Sequence, residues 1–185
     1  VRKKGQEWLY QPQDTHWTDR GLNLAAQILS QRIQAYPWFD DLASGSVEYQ
    51  QKEVRFSRQG DLVSRLAEGE KKGFRPQALV GHRVSKPDGS DYEDDASSPI
   101  VILGDSFTGV YQRTYCRNAG VSAHIARLLG QPVDLVMSYG GGPNVRRKLL
   151  RRGTADLAKK RLVIWMFAAR DLYNYWEDWE PLVKK

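Results

Sequence analysis

A short apolar segment that runs into Gly-Asp-Ser places the strongest constraint on the fold of this 185-residue chain. Residues 100–103 read Ile-Val-Ile-Leu, and Gly104, Asp105 and Ser106 follow at once. An apolar, mostly β-branched run bounded by turn residues is typical of a strand buried in a parallel sheet. Open α/β sheets hold their active sites at the carboxyl edge, where this strand would end. Ser106 is therefore a candidate nucleophile with an exposed hydroxyl and an N–H that faces the site.

A structural role for Ser106 remains open from these residues alone. Serine and aspartate both favour the N-cap position of a helix, and a helix is expected to begin here because Gly104 permits a tight turn. Gly-Asp-Ser is a weak signal without a base and an acid elsewhere in the chain.

The pattern beyond Ser106 predicts alternating helices and strands. Apolar residues at helical spacing over 121–129, with Gly130 as C-cap, lie between the first strand and a second strand over 132–137. A third strand is predicted over 162–167, and an amphipathic helix over 21–35 precedes all three. The fold class is therefore α/β: a three-layer α/β/α sandwich with a mainly parallel sheet.

The length predicts one domain over residues 1–185, since a chain of this size can bury a sizeable core. Residues 40–98 carry a weak pattern and are predicted only as an insertion or connecting region. Because the chain starts at Val1 without a methionine or a signal peptide, we expect it to be a piece of a longer protein.

Composition restricts the partners of the chain. The formal net charge is +6, which favours acidic partners such as nucleic acid, an anionic membrane surface or a polyuronate, or serves only solubility. Many of the positively charged residues lie in a basic run over 146–161. This run is either a solvated face or a rim that attracts an anionic polymer. No nucleic-acid recognition motif is apparent, no apolar run is long enough to cross a membrane, and a single cysteine excludes an internal disulfide.

The segment Asp14-Thr15-His16-Trp17 supplies candidates for the base and the acid that a serine nucleophile needs. Asp14 and His16 lie two residues apart on a predicted turn, so carboxylate and imidazole can stand side by side. Of the three histidines, His124 lies beside the apolar face of a predicted helix and His82 has no acid near it in sequence. His16 is therefore the predicted base, and Trp17 is either its shield from water or an anchor of the core.

Together the two motifs resemble the SGNH-hydrolase-like domain of bacterial polysaccharide O-acetyltransferases of the alginate type (AlgJ/AlgX). In ordinary GDSL esterases the serine comes first and Asp-x-x-His closes the chain. In the alginate-type branch Asp-x-His-Trp precedes the serine, as Asp14, His16 and Trp17 precede Ser106 here. The resemblance covers both motifs and the predicted sheet between residues 99 and 170.

The resemblance implies a serine-dependent O-acetyltransferase that works through an acetyl-serine. Ser106, His16 and Asp14 would be catalytic, and no metal or organic cofactor is implied. The acceptor would be an exported, anionic polysaccharide such as alginate. The acetyl donor would come from a membrane partner, and the enzyme would act in the periplasm of a Gram-negative bacterium.

The loop over 138–144 would complete the site. Related enzymes build the oxyanion hole from the serine N–H, a glycine N–H and an asparagine side chain, which Gly140, Gly141 and Asn144 resemble, with Tyr139 beside them as a substrate-binding residue. Alternatively, the loop is a flexible turn and Asn144 is the N-cap of the next helix.

Further candidates for substrate binding follow the third strand. Arg170 would lie at the functional edge and hold a substrate carboxylate, or it would only pair with Asp171 or another acid. Tyr173, Tyr175, Trp176 and Trp179 would stack on sugar rings or pack in the core.

Three other functions remain open. A carbohydrate acetylesterase of the SGNH/GDSL type would use the same triad with water as acceptor. A polysaccharide-binding module would keep a disused triad. The piece would also be inactive if the strand that normally precedes Asp-x-His is missing from it.

Overall fold

The computed structural model describes residues 8–43, 45–142 and 144–173. The strands are β1 (Gln50–Arg58), β2 (Gln77–Ser85), β3 (Ile100–Gly104), β4 (Asp134–Met137) and β5 (Leu162–Met166). The helices are α1 (Asp19–Gln34), α2 (Asp40–Ala43), α3 (Asp61–Ser64), α4 (Glu68–Lys71), α5 (Ser106–Gly109), α6 (Val121–Leu129), α7 (Val145–Leu150), α8 (Thr154–Leu157) and α9 (Arg170–Tyr173). A 3₁₀ turn spans Pro37–Phe39 and a π-helical segment spans Val110–Thr114. Among these helices, none combines the length and the apolarity needed to cross a membrane.

The three predicted strands form one parallel sheet in the order β4-β3-β5. Gly104 at the end of β3 lies level with Met137 of β4 and Met166 of β5. The three segments that follow these strands therefore leave the sheet at one carboxyl edge. The predicted strands are confirmed, although β4 begins two residues later than predicted and β5 ends one residue earlier.

Alternation along β3 buries both faces of the sheet. Ile100 and Ile102 pack in a cluster with Leu22 of α1 and Ile125 of α6. On the other face, Val101 and Leu103 pack against Val145 and Leu149 of α7. Burying a side chain of this size stabilises a fold by about 1.5–3 kcal/mol, so the sheet is held from both sides. The predicted three-layer sandwich is confirmed.

Helix boundaries follow local signals in the sequence. The Thr18 hydroxyl accepts the N–H of Gly21 and caps α1, which begins at Asp19, two residues before the predicted start. Gly130 ends α6 with a φ of +67°, a conformation that glycine adopts without steric cost.

The region over 40–98, predicted only as connecting material, contains an antiparallel hairpin of β1 and β2. The loop after β1 packs tightly on the segment that carries Asp14. A Cβ atom at Gly60 would lie 1.9 Å from the carbonyl oxygen of Gln13, so no other residue fits there without movement. The hairpin therefore supports the Asp14–His16 turn.

A buried lysine ties together the amino ends of the sheet strands. The side chain of Lys160 is 2% exposed, and its Nζ donates to Asp134 Oδ2 and to the Ser98 carbonyl, both at 3.0 Å, and to the Ala96 carbonyl. Arg152 pairs with the same buried Asp134. These contacts correct part of the prediction for the basic run over 146–161, because Arg152 and Lys160 serve the fold and are not free to attract an anionic polymer.

We expect Lys160→Met to lower the free energy of unfolding by about 3 kcal/mol, because it removes one of the two cations that pair with the buried Asp134 carboxylate and takes the lysine donor from the Ala96 and Ser98 carbonyls. Urea unfolding at neutral pH measures the change. The exposed neighbour Lys159 provides the matched control, and Lys159→Met should change the free energy by less than about 0.5 kcal/mol. Equal stability of the two variants would contradict this account of Lys160.

Candidate active site

Asp14, His16 and Ser106 form a continuous hydrogen-bonded line. Asp14 Oδ1 lies 2.6 Å from His16 Nδ1, and His16 Nε2 lies 2.8 Å from Ser106 Oγ. Asp14 and His16 are buried, whereas Ser106 is half-buried. The geometry suits proton transfer from the serine hydroxyl to the imidazole, with the carboxylate orienting the ring.

Ser106 owes its position to β3 and to the cap of α5. Asp105 is the N-cap, and its Oδ1 accepts the Phe107 N–H at 2.9 Å. The capping role left open for Ser106 therefore belongs to Asp105. Ser106 is the first residue of α5, where a main-chain N–H has no partner within the helix and can serve as an oxyanion donor. Burial raises the pKa of Asp105, partly against the hydrogen bonds from the N–H groups of Phe107 and Ala168.

The carboxylate of Asp14 is surrounded by donors. Its Oδ1 accepts from His16 Nδ1 and from the His16 N–H at 3.0 Å, and its Oδ2 accepts from the Asp61 N–H at 3.1 Å. Burial alone would raise the pKa of Asp14, but these hydrogen bonds and one from Tyr115 lower it well below its usual range. Asp14 is therefore a carboxylate at neutral pH and can stabilise an imidazolium.

Tyr115 and Arg58 extend the triad, and sequence reasoning missed both. The Tyr115 hydroxyl donates to Asp14 Oδ2 at 2.9 Å, and the Arg58 guanidinium lies 3.5 Å from the centre of the Tyr115 ring and 4.0 Å from Asp14 Oδ2. The Tyr115 N–H bonds to the Val110 carbonyl five residues earlier, which is the π-helical turn that brings the ring back to the site. No motif in the sequence indicates such a turn.

A second loop fixes the turn that carries His16. Asp61 accepts from the Thr15 N–H and from the Thr15 hydroxyl, both at 2.7 Å. Asp14, His16 and Asp61 place three potential metal-ligating atoms within 4.8 Å of one another. Each of these three side chains already forms hydrogen bonds with its neighbours. We therefore interpret the cluster as contacts that stabilise the turn and not as a metal site.

Aromatic rings cover the imidazole. The Phe107 ring lies 5.0 Å from the His16 ring, and the Trp17 ring lies 5.6 Å from Phe107. Trp17 is buried in the main core cluster. It packs on the ring that covers His16, so both roles proposed for it are compatible with the structure.

The glycine-rich loop lies at the same edge of the sheet. The Ser138 N–H bonds to the Gly104 carbonyl, and a Cβ atom at Gly142 would lie 3.6 Å from Asp105 Oδ2. Gly140 has a φ of +68°, and the Gly141 carbonyl accepts from the N–H of Asn144. Asn144 occupies the N-cap position of α7, as in the alternative raised above, but its side chain makes no capping hydrogen bond and its Oδ1 has no partner in the described part of the chain. Their roles in an oxyanion hole stay predictions.

Tyr139 and Arg170 also lie near Asp105 and α5. The Tyr139 hydroxyl is 2.6 Å from the Thr114 hydroxyl, and its ring contacts Gly109. Arg170 begins α9, and its charge partly offsets the rise in the pKa of Asp105 that burial causes; within residues 8–43, 45–142 and 144–173 it forms no ion pair. The Tyr173 side chain and the whole of Tyr175, Trp176 and Trp179 lie outside the described residues.

A second aspartate–histidine pair lies away from the serine. His82 Nδ1 is 2.7 Å from Asp19 Oδ2, and the His82 N–H donates to Asp19 Oδ1 at 3.0 Å. The sequence argument that His82 lacks an acid was therefore wrong. Among the described residues, no serine lies within hydrogen-bond distance of His82, so the pair has no nucleophile to activate. His124 is fully buried, as a structural histidine would be.

We expect Tyr115→Phe to lower kcat by about tenfold to a hundredfold, because a hydrogen bond to a charged group contributes about 1.5–3 kcal/mol. The matched control is Tyr111→Phe. The Tyr111 ring centre is 5.3 Å from that of Tyr115, and the Tyr111 hydroxyl has no partner among the described residues. Steady-state release of acetate from an activated ester measures both, and equal kcat values would contradict a role for the Tyr115 hydroxyl.

Comparisons with known proteins identify the family and the fold of this chain. Residues 1–169 match the family model of the SGNH hydrolase-like domain of the acetyltransferase AlgX. Among solved structures, the O-acetyltransferase domain of Pseudomonas putida AlgJ and AlgX of Pseudomonas aeruginosa each superpose with a TM-score of 0.67 at 18% identity over 90% of this chain. The match spans 55% of the AlgJ chain and 37% of the AlgX chain. A comparison with curated protein sequences finds no match.

Proposed function

The chain belongs to the family of SGNH hydrolase-like domains of the AlgX acetyltransferase type, and on that premise we propose that it is a polysaccharide O-acetyltransferase. Its substrate would be an exported, anionic polysaccharide such as alginate. The observation that carries the proposal is the line from Asp14 through His16 to Ser106, with contacts of 2.6 and 2.8 Å.

Catalysis begins when Ser106 Oγ attacks the carbonyl carbon of an acetyl ester. The hydroxyl proton passes to His16 Nε2, while His16 Nδ1–H keeps donating its hydrogen bond to the Asp14 carboxylate. The carbonyl oxygen becomes an oxyanion, for which the Ser106 N–H and the loop with Gly140, Gly141 and Asn144 are the proposed donors. When the tetrahedral intermediate collapses, the donor's C–O bond breaks and its alcohol leaves with the proton from Nε2.

The second half returns Ser106 to its free state. A sugar hydroxyl gives its proton to His16 Nε2 as its oxygen attacks the acetyl-serine carbonyl. Collapse of this second intermediate breaks the bond to Ser106 Oγ, which recovers the proton from Nε2. The acetyl group then resides on the sugar, and neither a metal nor an organic cofactor takes part in any of these steps.

The net charge of +6 supports an anionic acceptor, because a basic surface attracts a polyuronate over long range. Arg170, exposed beside Asp105, is the proposed contact for a sugar carboxylate, and Tyr139 a contact for the sugar ring. We further propose that the reaction takes place in the periplasm of a Gram-negative bacterium and that a membrane partner supplies the acetyl group, and family membership supports both.

An acetylesterase is the second candidate, because half-buried Ser106 is open to water. The test follows both fates of the acetyl group. Wild-type protein is incubated with 4-nitrophenyl acetate in the presence and absence of oligomannuronate, and acetyl is quantified as free acetate and as sugar ester. Acetylated sugar supports the transferase, acetate alone supports the esterase, and no acetyl-serine in the mass spectrum would overturn both.

A further inference from the structure

Two exposed tyrosine rings border the short helix that carries Ser106. Tyr10 is 58% exposed and Tyr139 is 53% exposed. Single exposed aromatic residues are common on protein surfaces, but two that border the helix of one candidate nucleophile are candidates for ligand contacts. Their position therefore invites a functional explanation.

Tyr10 is connected to the catalytic base through one ring. Its ring centre is 6.5 Å from that of Phe107, at an angle of 73° between planes, and the Phe107 ring lies 5.0 Å from His16. Tyr10 thus packs on the ring that covers His16, although the sequence offered no reason to select it.

The Tyr10 main chain is held rigidly. It forms an isolated antiparallel bridge with Trp17, and on either side of it the Gln11 N–H bonds to the His16 carbonyl at 3.0 Å and the Thr18 N–H bonds to the Leu9 carbonyl at 2.9 Å. The segment that carries Tyr10 is therefore fastened to the segment that carries His16. Because this main chain is already ordered and a tyrosine side chain has only two rotatable χ angles, packing of a ligand on the ring would cost little entropy.

Tyr139, which follows β4, contacts another part of the segment that begins with Ser106. Its hydroxyl lies 2.6 Å from the Thr114 hydroxyl, and a Cβ atom at Gly109 would lie 3.4 Å from its ring. Gly109 is the last residue of α5, whose first residue is Ser106. The two rings thus approach the helix at Phe107 and at Gly109.

We infer that Tyr10 and Tyr139 form an acceptor platform, on which pyranose rings of the polysaccharide pack so that a sugar hydroxyl reaches the acetyl-serine. The apolar C–H face of a pyranose fits an exposed aromatic ring, while the hydroxyls at its rim stay hydrated. The inference rests on the proposed function for the identity of the ligand. It adds Tyr10 as a residue that selects a sugar over water as the acceptor.

Binding tests the platform without turnover. Oligomannuronate is titrated into the wild-type chain and into Tyr10→Ala, Tyr10→Trp and Phe74→Ala, and the Kd is measured by calorimetry. Phe74 is 44% exposed, lies between α4 and β2 and is the matched control. We expect Tyr10→Ala to raise the Kd by about tenfold, as loss of an aromatic anchor does at other interfaces. Tyr10→Trp, which keeps a ring, should stay within about threefold of wild type, and Phe74→Ala within about twofold.

Each outcome decides the inference separately from the proposed function. Equal Kd values for wild type and Tyr10→Ala, an equal loss in Phe74→Ala, or no binding by the wild type would overturn the platform. Formation of acetyl-serine is measured apart from binding, on the wild-type chain, and only its failure counts against the catalytic triad.

Discussion

Ser106→Ala should reduce release of acetate from an activated ester by at least about a thousandfold, and no acetyl group should remain on the protein. The Oγ atom 2.8 Å from His16 Nε2 is the proposed nucleophile, and alanine has no atom that can form the ester bond. Binding and oxyanion stabilisation would leave only residual turnover by water. Initial rates and intact-protein mass spectrometry check both parts of the expectation.

The fold should tolerate this substitution. Asp105 caps α5 and Ser106 only begins it, so alanine removes no cap, and alanine has the highest helix propensity. We therefore expect the free energy of unfolding to change by less than about 1 kcal/mol. Ser97→Ala is the matched control, because the exposed Ser97 hydroxyl bonds only to Asp95 among the described residues and should leave acetate release unchanged. Residual activity above one-tenth of wild type in Ser106→Ala would remove Ser106 from the mechanism.

The sheet and the contact between Asp14 and His16 were predictable because their signals are local. β3 is a continuous apolar run, and Gly104 marks where it ends, so the position of Ser106 follows from residues 99–106. Asp14 and His16 are two residues apart, which lets a single turn join their side chains. The contact between His16 and Ser106 spans 90 residues, and it was expected from the elimination of the other histidines and from the family resemblance that pairs the two motifs.

The brace around Asp14 was not predictable, because its contacts are long in sequence and its turns carry no motif. Tyr115 reaches Asp14 across 101 residues through a π-helical turn. Asp61 reaches it across 47 residues from a hairpin region that has only a weak alternating pattern. Nothing in the positions of the glycines in the sequence indicated that a Cβ atom at Gly60 would lie too close to the carbonyl oxygen of Gln13.

The pair of Asp19 and His82 shows the limit of arguing by sequence distance. These residues are 63 positions apart, yet their contact of 2.7 Å resembles that between Asp14 and His16. The elimination of the other histidines therefore selected His16 although one of its premises, that His82 has no acid partner, was wrong. The decisive difference is the hydroxyl of Ser106 at His16 Nε2, which is a property of the fold.

Asp14→Asn should lower kcat by about 10³–10⁴-fold, close to the loss that an asparagine causes at the same position in other serine triads. Asp14 accepts from donors at both of its oxygens: two from His16, one from Asp61 and one from Tyr115. An asparagine must turn its own NH₂ group toward one pair of them. If that group faces Nδ1, the ring holds its proton on Nε2 and cannot accept one from Ser106.

Asp61→Asn is the matched control for Asp14→Asn. Its main-chain N–H still donates to Asp14, so the substitution weakens only the side-chain contacts to Thr15 and the ion pair with Arg65, and kcat should fall by less than about tenfold. Steady-state rates on the two purified variants make the comparison. Similar losses in both variants would mean that the brace, and not the charge of Asp14, sustains turnover.

The stability of Asp14→Asn should differ from wild type in a manner that depends on pH. Burial opposes ionisation of Asp14, but the hydrogen bonds hold its pKa below that of an unfolded aspartate. A group whose pKa is lower in the folded state adds stability above the unfolded pKa of about 3.9 and loses it as the pH falls toward the folded pKa. The part of the difference in unfolding free energy between wild type and Asp14→Asn that comes from the Asp14 carboxylate should therefore shrink as the pH falls below about pH 5. Urea unfolding at a series of pH values measures the difference. If the difference in unfolding free energy stays constant through the acid range, the hydrogen bonds do not stabilise the charged form of Asp14 over the neutral form. The proposal that the Asp14 carboxylate stabilises a charged His16 would then be wrong.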